Sequence, residues 1–248
     1  MIPDECDLAA GTSDDCNNKG LVNACEYVAP AAEPTPVGKN RSLSFVPGNA
    51  GQPTAMRVTL RELHRPDPPN APSSPPFDSS SLDGMVFWVG PPSVFAESSD
   101  SPGSGTFAGA QLQCTPHYRD WSDVGLLHVS GAYIISSSLY DVQAISQECN
   151  VNLEGNYSLS YSVRTARWGD VVDEFSESSI TTQPDFLDIS AVVDKFKSTA
   201  GAPIKARAQL QPALLVLTAD VNFLDISACV DAFKGLAFPF GPSDPCSP

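Results

Sequence analysis

The chain has 248 residues, a formal net charge of −15, 23 prolines and 7 cysteines, and 17% of its residues are charged. Its acidity argues against nucleic-acid binding, which needs a basic face, and no apolar run is long enough to span a membrane. Few charges and many prolines favour a mainly β, loop-rich protein. The length allows two or three small domains.

The first 26 residues predict a calcium site. Residues 15–26 have the length and spacing of a twelve-residue calcium loop, with Gly20 at the sharp turn. The predicted oxygen ligands are Asp15, Asn17, Leu21 through its carbonyl, Asn23 and Glu26. Lys19 departs from the pattern, because it places a cation where an oxygen ligand belongs. The alternative interpretation is an acidic, disulfide-tied tail without an ion.

This pattern resembles the thrombospondin type 3 class of aspartate- and cysteine-rich calcium repeats in secreted proteins. The resemblance implies loops that stack along the chain around calcium ions and disulfides. Residues 2–7 look like the second half of a preceding loop, with Asp4 and Asp7 at ligand positions. Because Met1 interrupts that repeat, we expect the secreted product to begin further upstream, with its signal peptide. The expected location is extracellular or at the cell surface.

The cysteines indicate disulfides, because 7 of them occur without a CxxC zinc pattern. The predicted bonds are Cys114–Cys149, Cys229–Cys246 and Cys16–Cys25. The third bond leaves Cys6 over, and the alternative bond Cys6–Cys16 leaves Cys25 over. Two further alternatives stay open: Cys114 and Cys149 are buried thiols, and Cys229 is only a small hydrophobic residue.

The middle of the chain predicts a β domain. Residues 27–41 contain three prolines and no periodicity, which indicates an extended linker. In residues 42–176, seven apolar or alternating segments are separated by Gly, Pro and Ser turns: 42–45, 56–60, 85–89, 106–113, 125–130, 139–145 and 157–165. We expect an antiparallel sandwich of immunoglobulin or fibronectin type. Residues 64–84 and 90–105 are expected to be long loops.

The C-terminal region, residues 177–248, contains one segment twice. Residues 185–197 and 222–234 agree at ten of thirteen positions with an offset of 37 residues, a period typical of stacked repeats. Each copy predicts a short helix, with Asp188 and Asp225, or the serines two residues after them, as N-caps.

Apolar residues follow helical spacing in both copies of this segment. They are Ile189, Val192, Val193 and Phe196 in the first, and Ile226, Cys229, Val230 and Phe233 in the second. Each helix is too short to be stable alone. We therefore expect the two identical apolar faces to bury each other.

Both copies end in Asp-Ile-Ser-x-x-Val-Asp-x-Phe-Lys, and this duplication resembles a dockerin-type module. Dockerins are paired, EF-hand-like loop–helix units of secreted bacterial proteins. The resemblance implies that Asp188 and Asp225 match the last acidic ligand of each calcium loop. The rest of the second loop would place Leu214, Val216 and Thr218 at ligand positions, which cannot supply the carboxylates that calcium needs. We therefore predict a metal-free structural helix pair.

No catalytic motif is present. The chain has no HExxH, no GxSxG, no P-loop and no GxGxxG followed by an acidic residue. Its histidines, His64, His117 and His128, share no metal-ligand spacing. We expect Trp168 to be a core residue, with sugar stacking as the alternative. The sequons at Asn40 and Asn156 are expected to be chance matches if the source is bacterial.

We therefore expect a non-catalytic, calcium-associated structural protein that forms an extracellular fibre from copies of itself. A terminal strand donor, residues 27–37 or 214–217, would pair with the sheet edge of the next subunit. The alternative is a binding module. Such a module would hold a glycan through the sandwich or dock a cohesin-like partner through the helix pair.

Overall fold

A computed structural model of the chain gives a mainly β fold with two longer helices packed beside a sheet. The structure describes residues 28–32, 39–48, 51–63, 84–97, 105–172, 184–211, 216, 218–236 and 238–239. The predicted calcium loop lies outside the described residues, as do Cys6, Cys16, Cys25 and Cys246.

Within the described residues, eight strands form one sheet. They are β1 (Ser42–Phe45), β2 (Thr54–Leu63), β3 (Val86–Val89), β4 (Ser93–Glu97), β5 (Gly105–Gln113), β6 (Leu127–Ser130), β7 (Ser138–Ser146) and β8 (Tyr161–Arg164). Their order is β1-β6-β5-β3-β2-β7-β8, with β4 beside β5. All pairs are antiparallel except β5 with β6. Ala166 N donates to Lys39 O at 2.8 Å just outside β8 and β1, so the sheet is nearly barrel-shaped.

The mainly β class predicted from the sequence is confirmed. The seven predicted strands correspond to β1–β3 and β5–β8, whereas β4 lies inside a segment expected to be a loop. The predicted two-sheet sandwich is not confirmed, because backbone pairing joins all eight strands in one curved sheet.

The sheet core is built from side chains on alternate positions. In β7, Tyr140, Val142 and Ala144 are buried, and the residues between them are half-buried. The Tyr140 hydroxyl donates to Tyr133 O at 2.8 Å and accepts from Ile135 N at 2.7 Å. This fully buried polar group is therefore satisfied, as the low dielectric of a core requires.

The helical region forms a second core. Its helices are α1 (Phe186–Phe196), α2 (Lys205–Ala208) and α3 (Phe223–Phe233). Trp168 is buried in this core together with small residues such as Ala191, Ala228 and Cys229. Phe238 packs against both cores, with its ring edge-on to Trp168 at 6.0 Å between centroids. Phe238 therefore folds back onto the helical core.

Residues at the start of β1 attach the helical region to the sheet. Asn40 Nδ2 donates to Asp170 O at 3.1 Å, and Ser42 Oγ donates to Ala206 O at 3.0 Å. Arg41 Nη1 donates to Leu210 O at 2.9 Å, and burial lowers the pKa of Arg41 to about 10. Asn40, Arg41 and Ser42 are all buried, so these bonds form in a region of low dielectric, where they are strong.

Candidate interaction surface

Both longer helices begin at a capping box. The N-caps are Asp185 and Asn222, whose side chains accept from the backbone N two residues on at 2.6 and 2.8 Å. Asp188 and Asp225 lie at the third helical position, and each accepts from the N-cap backbone N at 2.8 Å. The N-caps lie three residues before the predicted aspartates and five before the alternative serines, because helical periodicity does not show which polar residue begins a helix.

Asp188 and Asp225 are buried carboxylates, each held by three backbone N–H groups. Asp188 Oδ1 accepts from the backbone N of Val171 at 2.8 Å and of the next residue at 3.1 Å. Asp225 Oδ1 accepts from the backbone N of Leu210 and of the next residue, both at 2.8 Å. The N-cap bond completes each set, which we call the carboxylate clamp. These charge-assisted bonds offset the cost of burying a charge.

The clamp gives these two carboxylates a role different from the calcium ligation that the dockerin resemblance implies. Their oxygens accept from backbone N–H groups, and each joins its helix to a preceding loop. Within the described ranges, no group of three or more His, Cys, Asp or Glu side chains is placed to hold a metal ion. The predicted calcium ligands Asp15, Asn17, Leu21, Asn23 and Glu26 lie outside those ranges, so calcium there stays a prediction.

The buried faces of α1 and α3 are small and partly polar. In α1 they comprise Asp188, Ala191, Val192 and Lys195, and in α3 Asp225, Ala228, Cys229 and Ala232. A different set of residues is identical in the two helices and half-buried or exposed, and we call it the apolar stripe. It consists of Phe186, Ile189, Val193 and Phe196 on α1, and Phe223, Ile226, Val230 and Phe233 on α3.

The predicted apolar faces are buried only in part, because Ile189 and Ile226 pack against the helical core whereas the phenylalanines of both helices stay exposed. Phe186 is 72% exposed and Phe223 70%, while Phe196 and Phe233 are 48% and 43% exposed. Of the predicted positions, Val192 and Cys229 are fully buried. Ala191 and Ala228, which precede these two residues, allow the helices to pack closely on this side. The phenylalanines of the apolar stripe therefore remain accessible.

Cys229 is a free, buried thiol, so the predicted bond to Cys246 is not formed. Its Sγ lies 3.6 Å from Gly169 O inside the helical core, away from solvent. Burial raises the pKa of Cys229 to about 12. Cys229 therefore occupies the core as a small hydrophobic residue, which was the alternative interpretation. Cys114 and Cys149 are not free thiols, and the bond between them stays a prediction.

One serine–histidine contact was missed by the sequence analysis. Ser44 Oγ and His128 Nδ1 share a hydrogen bond of 2.8 Å across the paired strands β1 and β6. Both residues are buried, and burial lowers the pKa of His128 to about 3, with Lys39 acting in the same direction. The imidazole is therefore neutral and enclosed, which suits a structural role within the sheet.

Arg57 is the centre of a polar cluster on the outer side of β2. Its Nη1 and Nη2 donate to the two Glu154 carboxylate oxygens at 2.7 and 2.5 Å, and Nη2 also donates to Gln143 Oε1 at 2.6 Å. The guanidinium lies 3.5 Å from the ring centroid of Tyr157, within cation–π range. The hydrogen bond from Arg57 lowers the pKa of Glu154. The cluster ties residues 154–157 to the sheet.

The two sequence features that suggested glycans, the sequons and Trp168, are buried in the structure. Asn40 and Asn156, the sequon asparagines, are buried, and both side chains donate to backbone carbonyls. Trp168 is buried, as predicted, and so are Trp88 and Trp121. A sugar would therefore have to stack on side chains other than tryptophan.

No family model, curated protein or solved structure matches this chain. No described helix is both long enough and apolar enough to cross a membrane.

Proposed function

We propose that this protein is a non-catalytic structural subunit of an extracellular or cell-surface assembly, with the helix pair as an interaction module. The observation that carries the proposal is the apolar stripe. Exposed aromatic residues at matching positions of two helices are typical of a contact surface in a monomer's structure. We also propose that the loops and helices follow a dockerin-like order and that the sheet is related to immunoglobulin-like domains.

The extracellular location and calcium association rest on the N-terminal sequence pattern and its resemblance to thrombospondin type 3 repeats. Calcium would stiffen residues 1–26 as a spacer before the sheet. Part of the predicted strand donor, residues 27–37, already pairs with its own chain. Ala31 and Val46 exchange backbone hydrogen bonds of 3.0 and 2.9 Å, so this part of the linker already pairs with the subunit's own sheet.

A binding module is the second candidate, because the same stripe also suits a different protein partner. A glycan ligand has weaker support. A groove of about 430 Å³ along β5 contains neutral polar groups from Ser93, Gln111 and Gln113, which suit sugar hydroxyls, but no aromatic ring among the described residues lines it.

Mass-resolved sizing of the full chain, with calcium and with a chelator, tests the proposal. We expect species larger than a monomer in calcium and smaller species after chelation. Deleting residues 1–37 should abolish extended assembly and leave the sheet folded, as judged by circular dichroism. A monodisperse monomer at high concentration with calcium present would contradict the structural proposal and favour the binding module.

A further inference from the structure

We infer that the apolar stripe is the contact between two copies of this chain, helix pair against helix pair. The inference names a contact for the assembly proposed above and rests on that proposal only for growth beyond a dimer. The stripe positions follow each other at spacings of three, four and three residues in both helices. This is the a/d pattern through which helices recognise other helices.

Comparing the two copies of the repeat shows which residues are shared at buried positions and which at exposed positions. At two of the four buried positions of each helix the repeats have diverged, with Val192 against Cys229 and Lys195 against Ala232. At the exposed positions Phe186 and Phe223 they are identical, although an exposed phenylalanine contributes little to the fold of its own chain. Retention of the exposed residues beside altered buried ones points to a contact made by the stripe.

Charge favours a second copy as the occupant. Residues 184–236 contain six acidic and five basic side chains, whereas the whole chain carries −15. The acidic excess therefore lies outside the helical region. Two copies that meet through their helix pairs avoid most of the repulsion that two strongly acidic molecules would otherwise experience.

The accessible apolar surface approaches what a stable contact needs. The four stripe phenylalanines are between 43% and 72% exposed. They offer on the order of 500 Å², taking about 200 Å² for a fully buried aromatic side chain. A standard interface buries about 800 Å² on each partner.

The identity of the two stripes also fits a symmetric contact. An apolar stripe can pair with a copy of itself because its side chains need no complementary charge, and an isologous two-fold interface requires a patch that pairs with itself. Such a contact closes on itself as a dimer. A second, different contact, such as the proposed strand donation, would be needed to extend dimers into a fibre.

The test compares the full chain with the double variant Phe186→Ser/Phe223→Ser. The matched control is Val94→Ser/Leu159→Ser, which removes two apolar residues that are 68% and 57% exposed but lie outside the helices. Sedimentation velocity across a concentration series gives the dissociation constant. We expect the stripe variant to weaken association at least about tenfold, as for central aromatic contacts, and the control to associate like the parent. Circular dichroism and thermal melting should show both variants folded.

The outcomes separate this inference from the proposed function. A stripe variant that assembles like the parent overturns the inference and leaves the structural function standing. A parent that forms only closed dimers, lost in the stripe variant, supports the inference and contradicts extended assembly. A parent that stays monomeric at every concentration overturns both and leaves the stripe to a partner of different sequence.

Discussion

The first helical repeat buries Val192 and Lys195 where the second buries Cys229 and Ala232. The carboxylate clamp, in contrast, is the same in both, with two backbone donors from the preceding loop and one from the N-cap. The comparison indicates that the repeat is defined by directional bonds to backbone groups. The side chains that fill the space between the helices vary more freely, provided that the local volume is respected.

The loops before the helices also differ. Matching the clamp donors Val171 and Leu210 aligns Gly169 of the first loop with Ala208 at the end of α2. After the helices, Ser198 adopts a positive φ of 55° where the second repeat has Gly235 at 81°. The backbone path is thus shared after the helices, whereas before them Gly169 has φ +87° and Ala208 is the last residue of α2.

The largest expected effect tests whether the two clamps are equivalent. Asp188→Asn and Asp225→Asn each replace an acceptor oxygen by an amide that faces backbone N–H groups. We expect each to lower the free energy of unfolding by about 3 kcal/mol, the cost of leaving buried donors unpaired. Urea denaturation measures the loss.

The matched controls are Asp194→Asn and Asp231→Asn, half-buried aspartates at equivalent helical positions. They should change stability by no more than about 0.5 kcal/mol. Losses at Asp188 and Asp225 that differ by more than about 1 kcal/mol would show that the repeats do not depend equally on the clamp.

The second prediction exploits the difference between Gly169 and Ala208. Gly169 has φ +87°, and a Cβ added there would lie 2.4 Å from the Ala232 Cβ. Gly169→Ala should therefore destabilise the protein by about 2–3 kcal/mol through strain and overpacking. Ala208→Gly, the reciprocal change at the end of α2, should cost about 1 kcal/mol.

A double variant separates the two causes at Gly169. Adding Ala232→Gly removes the close contact but not the backbone strain, so thermal melting should show partial recovery of the stability lost in Gly169→Ala. Full stability in Gly169→Ala alone would mean that the first loop shifts without cost, and the two loops would then be interchangeable.

The sheet was largely predictable because alternation of apolar residues is a local signal. Strand β4 was missed, since two prolines precede Ser93 and a serine-rich stretch follows Glu97. Contacts such as Arg41 with Leu210 O join residues 169 positions apart and leave no local pattern. For the same reason the pairing of Ser44 with His128 was not foreseen.

The helices were predicted in the right places, but only part of each predicted apolar face is buried, with Val192 and Cys229 inside and the two C-terminal phenylalanines exposed. Each helix has two apolar sides, and periodicity alone does not distinguish them. The signal that distinguishes them lies in residue size and polarity. Ala191 and Ala228 permit close approach, and Asp188 and Asp225 occur on the same side to bind the loops. Cysteine spacing likewise predicted a bond for Cys229, although its helical position places it inside the core.

The smallest effect at neutral pH is expected for Cys229→Val, which gives the second repeat the residue of the first. The two side chains are similar in size and fully buried at equivalent positions, so stability at pH 7 should change by less than about 1 kcal/mol. The difference should grow with alkalinity. Burial raises the pKa of Cys229 from 9.0 to about 12, so above pH 9 the unfolded chain releases a proton that the folded chain retains.

Stability of the parent should therefore fall as pH rises from 9 towards 12, by about 1 kcal/mol at pH 10 from this group. Urea denaturation at pH 7 and pH 10 should show a smaller alkaline loss in Cys229→Val than in the parent. Val192→Cys is the reciprocal control, because it places a thiol at the equivalent position of the first repeat and should add a similar alkaline loss. Equal pH dependence in the parent and Cys229→Val would contradict a buried, protonated thiol at this position.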